Sequence, residues 1–131
     1  MTEIMLVSHS LNLAKAALKL AKEMNPNKSV VHICAGINDG IDFGTSTIEI
    51  KEKLSNILKN NDALIIYDLG SSLMNVKLAI KMLENKHNNL IKILKAPFLE
   101  GLLLSILYNN ENITIEELKN KVELETKEHF K

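Results

Sequence analysis

Short unbroken apolar runs alternate along this chain with longer stretches in which apolar residues recur every three or four positions. The first kind of run suits a strand covered on both faces, and the second suits an amphipathic helix. The pattern predicts a strand over residues 4–8 and a helix over 11–24, on which Leu11, Ala14, Leu18 and Ala21 share a face. Asn25-Pro26-Asn27 stops that helix. A second strand follows over 29–34, then a loop over 35–45 carrying Gly36, Gly40 and Gly44. A second helix opens at Ser46, where Ser46 and Glu49 fit a capping box, presents Ile50, Leu54, Ile57 and Leu58, and ends at Asn60-Asn61-Asp62. The third strand spans 63–67. Its turn is Asp68-Leu69-Gly70-Ser71, and a third helix over 72–84 turns Leu73, Val76, Ile80 and Leu83 inward.

The fourth strand is 90–94. Ala96-Pro97 breaks the chain before a helix over 98–108, residues 109–112 turn, and Thr114 with Glu117 caps a fifth helix. Residues 126–131 read as a frayed, solvated end. Helix four stands apart. Phe98, Leu99, Leu102, Leu103, Leu104, Ile106, Leu107 and Tyr108 make it apolar nearly all round, so it must be covered on more than one side. Burial within the monomer and an oligomer interface both satisfy that demand.

Strands alternating with helices predict an α/β domain over residues 1–131, with one open, mainly parallel sheet and helices on both faces. Parallel crossovers are right-handed, and the simplest strand order is then 2-1-3-4. The length suits one domain, and there are no repeats and no linker-like stretch.

Composition narrows the function. Formal net charge is zero and aromatic residues make up 4%, with no Trp, so neither charge nor base stacking draws the chain to nucleic acid. No apolar run approaches the roughly 20 residues of a membrane span, and the N-terminus lacks a signal-peptide pattern. Cys34 is a lone thiol within an apolar run, which fits a buried, inert side chain in a reducing compartment. These features predict a cytoplasmic protein without membrane insertion or nucleic-acid partners.

In an open 2-1-3-4 sheet the chain leaves strands one and three in opposite directions, and ligands bind beyond the carboxyl ends of such strands. Ser8-His9-Ser10 and Asp68-Leu69-Gly70-Ser71-Ser72 occupy that point. His9 offers an imidazole nucleophile, the side chain suited to proton and group transfer near neutral pH. Asp68 could hold one ring nitrogen and free the other for attack on phosphorus. Ser10, Gly70, Ser71 and Ser72 sit where helices open, and unpaired amides there favour a phosphoryl group. Plainer readings compete. A lone histidine after a strand is often only a loop residue, Asp before Gly is ordinary turn chemistry, and Ser72 could be a helix cap. His32 reads as an edge or structural residue, while His87 and His129 fall in a polar turn and the tail. No metal-ligand spacing and no nucleotide-binding glycine pattern occurs, so no cofactor or metal is expected.

Four segments carry a family resemblance: Val7-Ser8-His9-Ser10, Gly44-Thr45-Ser46, Asp68-Leu69-Gly70-Ser71-Ser72-Leu73-Met74-Asn75 and Ala96-Pro97-Phe98-Leu99-Glu100-Gly101. In these the chain resembles the phosphotransferase subunit of the phosphoenolpyruvate-dependent dihydroxyacetone kinase, within the mannose-type enzyme IIA fold of the sugar phosphotransferase system. The resemblance implies that His9 receives phosphate from the histidine phosphocarrier protein HPr. His9 would pass it to ADP on the kinase's nucleotide-binding subunit. Asp68 would orient His9, Ser71 and Ser72 would bind the phosphate, and the chain would form a homodimer. Gly44, Thr45 and Ser46 are possible loop contributors. The strand-two loop departs from the family pattern, because Gly40 stands one position early relative to Gly44. Some relatives carry fused HPr and enzyme I portions, for which this chain is too short, so its donors are expected to be separate proteins.

Three other readings share these features. An enzyme IIA of a mannose-type sugar transporter would use His9 with a different acceptor. A signalling receiver would be phosphorylated on Asp68, but it needs an acidic cluster after strand one to hold Mg²⁺, and Ser8-His9-Ser10 supplies none. A non-catalytic anion-binding or interaction module would not depend on His9 at all.

Overall fold

The structure, a computed structural model, describes residues 1–83 and 87–129. Among these, four strands form one parallel sheet in the order β2-β1-β3-β4, as the crossover argument requires. The elements are β1 (Glu3–Ser8), α1 (Leu11–Lys22), β2 (Val31–Ala35), α2 (Thr47–Ile57), β3 (Ala63–Tyr67), α3 (Gly70–Met82), β4 (Ile91–Ile93), α4 (Phe98–Tyr108) and α5 (Ile115–His129).

Strand side chains alternate between faces, and this divides the core in two. Ile4, Leu6, Leu64 and Ile66 point to one face, where they meet Ala17 and Ala21 of α1, Leu102 and Ile106 of α4, and Ile115, Leu118 and Val122 of α5. Met5, Val7, Ala63 and Ile65 point to the other, against Ile50, Leu54 and Ile57 of α2 and Val76 and Ala79 of α3. Each large side chain buried this way contributes about 1.5–3 kcal/mol. The central strands are apolar from Ile4 to Val7 and from Ala63 to Ile66, where both faces are covered.

Cys34 lies in the second of these layers, and burial pushes its thiol up to about 12, so it is inert. His32 is structural. Its Nε2 lies 2.6 Å from Glu3 Oε1, and Glu3 Oε2 accepts from the Asn61 amide at 2.6 Å.

Several boundaries move for identifiable reasons. β4 is shorter than its apolar run: Ile91, Lys92 and Ile93 pair in register with β3, and Leu90 and Leu94 add one backbone hydrogen bond each at its ends. β2 starts at Val31, because the Asn25 side chain holds Ser29 in a turn through two hydrogen bonds. The third helix begins at Gly70 rather than residue 72 and ends at Met82; the expected end at Glu84 lies outside the described residues. Thr114 and Glu117 form the full capping box, at 3.0 and 3.1 Å. At Ser46 only half of one forms. The Ser46 hydroxyl accepts from the Glu49 N–H at 3.2 Å, while the Glu49 carboxylate turns to Lys53.

The frayed C-terminal end is a correction. α5 continues to His129, Thr126 is buried, and His129 Nδ1 meets the Glu100 carboxylate of α4. A tail docked on a neighbouring helix is not free to fray. Phe130 and Lys131 lie outside the described residues.

Most of the apolar surface of α4 is covered within the chain. Gly101, Leu102, Ser105 and Ile106 are buried, and Phe98, Leu103, Leu104 and Tyr108 pack on the same core. Leu99 and Leu107 remain exposed.

Candidate functional site

Val7 pairs with Tyr67 on the last rung of the β1–β3 ladder, so the residues that follow leave the sheet side by side. This brings His9 to Asp68. Asp68 Oδ2 accepts the His9 backbone N–H at 2.9 Å and faces the Ser8 hydroxyl at 3.0 Å. Asp68 Oδ1 accepts the Leu69 N–H at 2.8 Å and the Ser72 hydroxyl at 2.7 Å, and lies 3.2 Å from His9 Nδ1. Burial works against the charge on Asp68. The hydrogen bonds from Ser72, the His9 N–H, the His9 ring and Ser8 outweigh it and hold the carboxyl below its ordinary value of 3.8.

An ionised carboxylate only accepts. A neutral His9 ring therefore carries its proton on Nδ1, shared between Asp68 and the Ser72 oxygen, which lies 2.9 Å away. The lone pair is left on Nε2, where the Ser71 hydroxyl sits at 2.7 Å. The His9 side chain is 24% exposed and that of Asp68 only 9%, so the carboxylate is the buried anchor and the ring the accessible group.

The early start of α3 matters here. Leu69 is the N-cap residue and makes no side-chain cap, so Ser71 and Ser72 fall in the first turn with their hydroxyls turned to the imidazole. First-turn amides lack intrahelical acceptors and carry the positive end of the helix dipole, an arrangement that favours an anion.

The loop after β2 closes the other flank. The Gly44 N–H donates to the His9 carbonyl at 2.8 Å, and the Gly36 N–H to the Ser8 carbonyl at 3.2 Å. The Asn75 amide on α3 donates to the Thr45 hydroxyl and thereby links this loop to the helix bearing Ser71 and Ser72. Ser10 and Ser46 hold different posts. Their hydroxyls accept from Leu13 and Glu49 N–H groups as the N-caps of α1 and α2.

His9, Asp68, Ser71 and Ser72 thus form one bonded cluster, with Gly70 next to it and Gly44 and Thr45 in its frame. Two contributors had no individual place in the sequence reading, Ser8 and Asn75. Ser8 is a fully buried hydroxyl ending an otherwise apolar central strand, and a buried polar group demands partners. It accepts the Ser10 N–H at 3.1 Å besides facing Asp68.

A hollow of about 680 Å³ opens beside the β2 loop and is lined by Lys15, Asn38, Ser46 and Lys53 among others, but not by His9. The imidazole is half-buried outside this hollow. Among the described residues, no group of three or more His, Cys, Asp or Glu is placed to hold a metal ion, and no helix is long and apolar enough to cross a membrane.

Residues 3–123 match the EIIA-man family, described as the PTS system fructose IIA component. The chain belongs to this family. The EIIA-man chain is 30% identical over 123 residues to the phosphotransferase subunit DhaM of the PTS-dependent dihydroxyacetone kinase of Lactococcus lactis, covering 92% of each. It is 33% identical over 101 residues to a phosphoryl donor subunit DhaM of Listeria innocua, covering 75% of this chain and 73% of that one. The Escherichia coli DhaM is 29% identical over 105 residues, which is 79% of this chain but 22% of that protein, so the chain spans about a fifth of that relative. Among solved structures, the unknown-function protein EF1359 matches with a TM-score of 0.81 at 25% identity, over 94% of this chain and 93% of that one. The phosphotransferase system component EIIA of Streptococcus agalactiae shares the fold, with a TM-score of 0.74 at 21% identity over 98% and 95% of the two chains.

In this EIIA-man chain the Ala96-Pro97-Phe98-Leu99-Glu100-Gly101 segment serves packing. A side chain at Gly101 would come within 3.0 Å of Leu94 and 3.2 Å of Ala96, and Glu100 receives His129.

Proposed function

We propose that the chain is a phosphohistidine carrier that takes a phosphoryl group from HPr onto His9 and passes it to ADP held on the nucleotide-binding subunit of dihydroxyacetone kinase. The observation that carries this reading is the His9 ring, bound through Nδ1 to an ionised Asp68 and left with a lone pair on Nε2, where it meets the Ser71 hydroxyl. The Nε2 lone pair attacks phosphorus, the donor's N–P bond breaks, and the donor nitrogen keeps that electron pair. Asp68 balances the imidazolium character that develops on the ring. The Ser71 hydroxyl and the first-turn amides from Gly70 onward receive the phosphoryl oxygens, while the buried Ser72 hydroxyl stays on Asp68 and Nδ1. Phosphoryl transfer asks mainly for such positioning and charge stabilisation. The names of the relatives support the kinase as acceptor, and the homodimer belongs to the same proposal.

Incubation with phosphoenolpyruvate, enzyme I and HPr should label wild type with acid-labile, base-stable phosphate and leave His9→Gln unlabelled. Equal labelling of the two would end the proposal. The family description, a fructose IIA component, also fits a carrier serving a sugar transporter. Offering the phosphorylated chain to ADP-loaded kinase subunit or to a transporter domain separates the two acceptors.

A further inference from the structure

Ser8 is the last residue of β1 and is fully buried, a hydroxyl closing an apolar strand. Such a group costs stability unless its hydrogen-bonding capacity is met. Its oxygen accepts the Ser10 N–H at 3.1 Å. Its one hydrogen has two acceptors in reach, the Ser10 carbonyl at 3.1 Å and Asp68 Oδ2 at 3.0 Å. The Ser10 carbonyl already accepts the Ala14 N–H at 3.1 Å as α1 begins, whereas Asp68 is an ionised carboxylate. Hydrogen bonds to a charged acceptor are the stronger ones, so the Ser8 hydrogen belongs to Asp68.

The two oxygens of Asp68 are held differently. Oδ1 accepts the Leu69 N–H at 2.8 Å and the Ser72 hydroxyl at 2.7 Å, and it also faces His9 Nδ1. Oδ2 accepts the His9 N–H at 2.9 Å and the Ser8 hydroxyl. Ser8 thus holds the far oxygen by a side chain, where the other donor is main chain. A carboxylate turns about the bond to its Cβ, and donors on both oxygens fix its plane. The contact with Nδ1 is the longest on this carboxylate, at 3.2 Å, so it is the first to fail when the plane turns. Ser72 cannot take over. Its oxygen lies 2.9 Å from Nδ1 with its hydrogen directed to Asp68. A turned carboxylate releases that hydrogen to Nδ1, which drives the ring proton to Nε2 and removes the lone pair from the attacking atom.

We propose that Ser8 is a positioning residue for the reacting imidazole: its buried hydroxyl fixes the Asp68 carboxylate in the plane that keeps the His9 proton on Nδ1 and the lone pair on Nε2. It acts on the ring through the carboxylate. The effect on transfer rests on the phosphocarrier reading, and the place of the ring proton does not.

The test compares wild type, Ser8→Ala, Ser8→Cys, Asp68→Ala and Ser8→Ala/Asp68→Ala, each checked for folding by circular dichroism. Ring-nitrogen NMR of the neutral His9 side chain reports which nitrogen holds the proton. Labelling by phospho-HPr and, separately, by phosphoramidate, a small phosphoryl donor, reports transfer. In Ser8→Ala the Nε2–H form should grow at the expense of the Nδ1–H form. The kcat with phospho-HPr should fall about tenfold with KM nearly unchanged, the scale of one lost hydrogen bond to a charged group. Phosphoramidate labelling should fall to the same extent. Ser8→Cys fills the site but donates weakly, so it should show the same shift, and it carries the test if Ser8→Ala does not fold. In the Asp68→Ala background, loss of Ser8 should change the rate by no more than about twofold, because the carboxylate it acts through is gone. A ring proton and a rate unchanged in the folded Ser8 variants overturn the proposal. So does a full second loss in the double variant, which would make Ser8 a support of the β1–α1 turn and nothing more. Failure of wild type to label from either donor instead ends the phosphocarrier reading and leaves the tautomer comparison standing.

Discussion

His9 has three side-chain partners, and each does something different to the ring. Ser71 meets Nε2, Ser72 meets both Nδ1 and Asp68, and Asp68 alone brings charge. Replacing Asp68 with Ala removes the acceptor that fixes the tautomer and the anion that balances a developing imidazolium. Transfer through His9 should fall by roughly 10²-fold or more, the scale of a lost proton-positioning group. Circular dichroism should show the fold retained, because the sheet and both core layers are built without this side chain. An unchanged rate would remove Asp68 from the mechanism. Legibility at this scale was uneven. His9 and Asp68 were readable because each follows an apolar strand at the switch point. Ser8 was not, because a hydroxyl ending a strand looks ordinary until its burial is known. Ser10 was placed with the phosphate by position alone, while its hydroxyl is engaged as the cap of α1; Ser46, read as a cap and as a possible loop contributor, is the cap of α2.

Elements position these residues through their ends. α3 starts at Gly70 because the Leu69 N–H is already taken by Asp68, and the following first turn then aims Ser71 and Ser72 at the imidazole. The β2–α2 turn depends on Gly40, whose φ is +84° and whose added side chain would stand 2.2 Å from Leu11 Cδ2. Gly40→Ala should therefore lower stability by about 1–2 kcal/mol from the left-handed backbone alone, with the overlap on Leu11 adding to it. Denaturant unfolding of the variant measures this, and a stability equal to wild type would show that the turn can rearrange freely. Periodicity placed this segment correctly as a loop. It said nothing of its internal bridge, since Ile37 and Asp42 carry no turn signature that pairs them.

Across the whole molecule, α5 closes the layer formed by α1 and α4, and its last turn is tied to α4 by His129 and Glu100. The hydrogen bond to Glu100 raises the His129 pKa above its ordinary 6.5 against an opposing desolvation, with the charges of Glu100, Glu125 and Glu128 adding to the rise. A group whose folded pKa is raised contributes fully below its unfolded value and loses that contribution as pH rises through the folded one. Amide exchange in the last turn of α5 should therefore quicken, beyond its intrinsic pH trend, as pH climbs past 6.5 through that raised value. Glu100→Gln should abolish the extra step. A step that survives in the variant would assign the tie to other groups. The sequence reading had this tail frayed, because its polar composition does not disclose a carboxylate on another helix.

What the sequence determined by itself is local or topological. Strand and helix periods and the Thr114 cap follow from neighbours in the chain, although α1 ends at Lys22, short of the expected stop at Pro26. The order 2-1-3-4 follows from the hand of crossovers. The tertiary structure decided which atoms meet. Asp68 reaches Nδ1 of a histidine 59 residues away, a turn hung from the His9 carbonyl keeps Phe43 in water, and a docked helix end replaces a loose tail. Pattern and sterics act over a few residues. The direction of a side chain and the state of its protons are set by whatever the fold brings beside them.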